Sequence, residues 1–104
     1  MLESERNLKA KEFEDSGNLE SAIEQYEQNV SLGSFAPFPY NRLAIIYKKR
    51  RDLDNEIRVL KLLLSIQEKE AKKYKWIEGT KQFDKILKTR DRLQKAQIEL
   101  SKRI

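Results

Sequence analysis

A shift of 34 residues lays the chain on itself. Asn7 falls on Asn41, Ala10 on Ala44, Phe13 on Tyr47, Asn18 on Asp52, Leu19 on Leu53, Glu20 on Asp54, Ile23 on Ile57 and Tyr26 on Leu60. Small residues answer small ones and large apolar residues answer large ones, so both copies bury the same positions. A unit repeating at this period cannot close a core alone. It buries its apolar face by stacking on a neighbour.

Each copy divides into two helical stretches. In the second, Pro37 and Pro39 offer a helix start, and Tyr40, Leu43, Ala44 and Tyr47 recur at three- and four-residue spacing on one face that must be buried. Asp52 is the expected N-cap of the next helix, with Asp54 and Glu56 favourable in its first turn. Leu53, Ile57, Leu60, Leu63 and Leu64 then carry the helical period onward. The first copy has the same grammar: its break is Ser16-Gly17-Asn18, where glycine adopts a left-handed C-terminal conformation and Asn18 caps the second helix. Gly33 is expected to end that helix.

These residues resemble the tetratricopeptide repeat, whose signature is Trp-x2-Leu-Gly-x2-Tyr followed by Ala-x3-Phe within 34 residues. The second copy gives Tyr40-x2-Leu43-Ala44-x2-Tyr47; the first gives Ala10-x2-Phe13, Gly17 and Ala22-x3-Tyr26. The chain departs from the pattern at Glu56, where the family has alanine, at Arg51 in place of the turn glycine, and at Arg6 and Lys9. The final proline of each repeat is also missing. Glu56 is expected at the edge of the stack.

The resemblance covers roughly residues 4–68. A third copy would begin near Tyr74, where Tyr74 and Ile77 fit but Glu78 and Lys81 do not. Phe83, Ile86, Leu87, Leu93 and Leu100, set among charges, instead form one apolar face, as a helix closing a solenoid requires. Thr80 is its expected N-cap. The fold expected is all-α: a tetratricopeptide-like stack of two antiparallel helical hairpins with a C-terminal capping helix. As one domain over 1–104, it has its first repeat at about 3–36, its second at about 37–68, and a linker and capping helix at about 69–104. Helices are expected near 3–15, 19–32, 39–51, 53–67 and 80–102, with no strand; residues 66–78 either prolong a helix or form a link. Tyr47, aligned with Phe13, is expected in the core.

Composition narrows the function. The chain has neither cysteine nor histidine, which removes thiol nucleophiles, imidazole acid–base chemistry and thiolate or imidazole metal sites. There is no Gly-rich phosphate loop, so no enzyme, cofactor or metal site is expected. No apolar run approaches the roughly 20 residues that span a bilayer, and the N-terminal residues lack a basic stretch leading into an apolar one. The expected compartment is the cytoplasm, without a membrane association.

By the resemblance, partner segments bind along the concave surface made by the first helix of each hairpin. Helix geometry would place Asn7, Lys11, Phe38, Asn41, Ile45 and Lys48 there. Amide side chains suit an extended backbone, each offering both donor and acceptor. The expected partner is therefore another protein or peptide segment. Charge leaves two alternatives open. Residues 1–30 carry three basic and eight acidic side chains, residues 31–70 eight and five, and residues 71–104 eleven and four. Such polarity favours head-to-tail association of copies, or an acidic partner at the basic end. The basic C-terminal half, with Tyr74 and Trp76 as stacking groups, is also compatible with nucleic acid, against which stand the interspersed Glu78, Asp84 and Asp91.

Overall fold

A computed structural model describes residues 1–103. Five helices follow one another: α1 (Glu3–Asp15), α2 (Leu19–Ser31), α3 (Pro37–Lys49), α4 (Leu53–Tyr74) and α5 (Lys81–Ser101). The described residues contain no strand. Each helix packs on the next in the chain. The extents, 39 × 38 × 21 Å, leave a thickness of two helices, each about 10 Å across.

The helix ends follow from local chemistry. Asn18, Asp52 and Thr80 accept through their side chains from the backbone N–H of Ser21, Asn55 and Phe83, each capping the first turn of its helix. Pro37 opens α3, where its missing N–H costs nothing. The α1–α2 and α3–α4 turns then repeat bond for bond. Ser16, Gly17 and Asn18 donate to the carbonyls of Glu12, Glu14 and Phe13; 34 residues later Arg50, Arg51 and Asp52 donate to those of Ile46, Lys48 and Tyr47. Gly17 has φ +84°, and Arg51 holds the same left-handed region at φ +58°.

The core is continuous through the stack. Ala10, Ala22 and Tyr26 of the first hairpin meet Leu43, Ala44, Tyr47, Ile57 and Leu60 of the second, and Leu93 and Ala96 of α5 complete the cluster. Tyr47 is 5% exposed, inside the core as its alignment with Phe13 requires. Two carboxylates each join three helices. Glu14 of α1 accepts from the Tyr26 hydroxyl of α2 and from Arg42 of α3, the latter at 3.1 and 2.6 Å. Glu27 of α2 accepts from the Tyr47 hydroxyl of α3 and from Arg58 of α4. Charge-assisted bonds at these depths fix the register of the hairpins as well as adding energy.

The α4 helix departs from the repeat. It has 22 residues where α2 has 13, so it runs past the expected end at 67 and closes only where Lys75 turns left-handed at φ 52°. Residues 66–74 therefore prolong the helix, and 75–80 form the link. Tyr74 and Ile77, which fit the start of a third copy, are exposed. The third packing helix is α5, starting at Lys81. The α3 helix begins two residues before the expected 39 and ends at Lys49 rather than 51, because Pro37 tolerates the N-terminal position and Arg51 leaves helical geometry. Glu56, expected at the edge of the stack, is 5% exposed. The cause is α5, which packs on α4 and covers it.

Candidate functional site

The covering helix makes a groove. Arg92 of α5 donates to Asn41 of α3 at 2.6 Å, and Arg103, just beyond α5, donates to the Arg51 carbonyl at 3.3 Å. These two ties require α3 and α5 to run side by side in the same direction. Between them lies a groove of about 540 Å³. Ala44, Ile45 and Lys48 form one wall, Arg92, Lys95 and Ala96 the other, and Leu53 and Glu56 of α4 contribute from below; Asp91, Glu99, Arg51 and Arg103 complete the lining. Five cations and three carboxylates therefore surround an apolar strip. One pair is internally satisfied, with Lys95 2.9 Å from Asp91.

Glu56 is the anomaly of this groove. Its Oε1 is buried and has no hydrogen-bond partner. Burial raises the pKa of its carboxyl, and the positive charges of Lys48 and Arg92 act against that rise. Arg92 is in the reciprocal position: burial lowers its pKa, and Glu56 opposes. A buried acceptor left without a donor costs about 1–3 kcal/mol. That cost is retained at the floor of an open groove.

The six residues expected on the concave face divide. Ile45 and Lys48 line the groove, and Asn41 stands at its wall, holding Arg92. The other three lie elsewhere. Asn7 accepts from the Asn29 side chain at 2.8 Å, inside a network in which the buried Asn29 also accepts from Arg6 and donates to the Glu3 carbonyl. Lys11 pairs with Asp15 one turn away at 2.7 Å. The Phe38 ring stands edge-on to Tyr26, with centroids 5.9 Å apart.

Glu56, Arg92, Lys95, Ala96 and Arg103 were not on the expected face. Their signal was the alignment of Glu56 with Ala22, since a carboxylate replacing a buried alanine needs either an exposed position or a purpose. The basic residues weighed for nucleic acid are partly committed as well. Arg90 lies 3.4 Å from Glu68, Lys73 stacks over Tyr74 at 5.3 Å, and Arg92 belongs to the groove. Lys81, Lys85 and Lys88 remain exposed on α5. No helix among the described residues is long and apolar enough to cross a membrane. Comparison with protein-family models, with curated proteins and with solved structures finds no match.

Proposed function

We propose that this chain is a non-enzymatic, tetratricopeptide-like interaction module that binds a segment of a partner protein in the groove between α3 and α5. The observation that carries this reading is the buried, unpartnered oxygen of Glu56 on the floor of an open groove with an apolar strip and a charged rim. A partner segment would supply the missing donor from a backbone N–H or a side chain, would cover Ile45 and Ala96, and would meet the rim charges. The bond-for-bond repetition of the two turns supports the tetratricopeptide-like part of the proposal.

The test is affinity capture from the source cell by the parent chain and two variants. Ile45→Ala with Lys48→Ala should lose the captured protein. Leu62→Ala, on an exposed position of α4, should keep it. Retention by the groove variant at parental helicity would refute the assignment. Lys85→Glu with Lys88→Glu decides the nucleic-acid alternative, because salt-sensitive retention on DNA that this variant abolishes would favour it. Arg92 is unsuitable for that control, since it forms the groove wall.

A further inference from the structure

We propose that a second copy of this chain docks head to tail in the groove, with the outer stripe of its α1 lying along the trough between α3 and α5. This rests on the reading of the groove as a partner site and names the partner. Glu5, Leu8, Glu12 and Asp15 are all exposed. At spacings of three and four they share one helix face, opposite the buried Ala10. Three carboxylates and one leucine have no packing role within their own copy.

Length, charge and polarity match. The stripe runs along α1 from Glu5 to Asp15, and the groove runs alongside α3 from Asn41 to Arg51; at 1.5 Å per residue each is roughly 15 Å long. The first 30 residues carry eight acidic and three basic side chains, whereas the groove is lined by five cations and three carboxylates. Leu8, 64% exposed, would cover Ile45 and Ala96. Lys9, exposed and within one turn of both Glu5 and Glu12, brings an ammonium to the unpartnered Glu56 oxygen. Anion, cation and anion on the stripe thus face cation, anion and cation in the trough. Such a contact joins two different surfaces and does not close on itself, so chains of copies result.

Sedimentation velocity of the purified chain tests this without any further ligand. The sedimentation coefficient should rise with concentration at low salt and return to that of a monomer at high salt, as screening requires. Glu5→Lys with Glu12→Lys should be monomeric, and so should Lys95→Glu with Arg103→Glu; all four positions are exposed, so circular dichroism should be unchanged. Mixing the two variants should restore association, because each supplies the surface the other now needs. Lys9→Ala should weaken association roughly tenfold. A parent chain that is monomeric at every concentration overturns the proposal, as does association that survives the α1 reversal or a mixture that fails to recover it. If the parent is monomeric yet Ile45→Ala with Lys48→Ala still loses a captured protein, only the self-docking falls.

Discussion

Arg51 occupies a backbone position that its repeat equivalent fills with glycine. Both residues take a positive φ, +58° for Arg51 and +84° for Gly17, and both donate the same turn bond. A residue with a Cβ in the left-handed region costs about 1–2 kcal/mol. Arg51→Gly should therefore stabilise the chain by about 1 kcal/mol, raising the thermal midpoint by about 4–8 °C; a lower midpoint would mean that the side chain contributes more than the strain costs. Tyr47 separates two further terms. Tyr47→Ala empties a core site and should cost about 3–5 kcal/mol, whereas Tyr47→Phe loses only the hydroxyl bond to Glu27 and should cost about 1 kcal/mol. Denaturant titration of both variants checks the pair. The caps at Asn18, Asp52 and Thr80 were legible in the sequence because a cap is decided within four residues. The bonds that hold Asn7 and Asn41 were not, because their partners Asn29 and Arg92 are 22 and 51 residues distant.

At the scale of elements, the 3.6-residue period located all five helices, and the 34-residue register located both hairpin turns. The length of α4 escaped, since residues 66–74 are charged and carry no breaker; a helix of that composition continues until a neighbour or a turn stops it. The α5 helix was legible as an amphipathic cap. The surface it covers was not, because its placement depends on how far α4 runs. The buried carboxyl of Glu56 results from that placement, and it leaves a pH signature. Burial raises its native pKa against the pull of Lys48 and Arg92, so its contribution to stability is full below the ordinary glutamate range. That contribution is lost as pH rises through the raised native value. Glu14 runs the other way. Burial would raise it, but hydrogen bonds from Arg42 and Tyr26 and the charge of Arg42 outweigh burial and lower its pKa. Its contribution is therefore present above the ordinary range and is lost as pH falls through the lowered value. Glu56→Gln should show a gain in thermal midpoint over the parent that is small in acid and grows toward neutral pH. A gain independent of pH would show that the Glu56 carboxyl is not desolvated.

For the whole molecule, stacking two hairpins and laying α5 beside α3 leaves a single trough bearing an orphan acceptor. Three of the six residues read from the sequence, Asn41, Ile45 and Lys48, come together there, because the register fixes which face of α3 looks away from α4. Asn7, Lys11 and Phe38 fall away from it, since the trough forms beside the second hairpin only. The opposite wall comes from α5, outside the repeat, and periodicity carries no information about it. The consequence for variants is specific: Asn41→Ala would strand Arg92 and should cost about 1–3 kcal/mol as well as altering the groove, whereas Lys48→Ala, on an exposed side chain, should shift stability by about 0.5 kcal/mol or less. The most direct measurement of the groove reading is site-specific photocrosslinking in the source cell, with the photoreactive residue placed in turn at Ile45, Leu62 and Leu87. A discrete adduct should form from Ile45 and from neither Leu62 on α4 nor Leu87 on the outer face of α5. Adducts from Leu62 or Leu87 with none from Ile45 would place the interface outside the trough and contradict it.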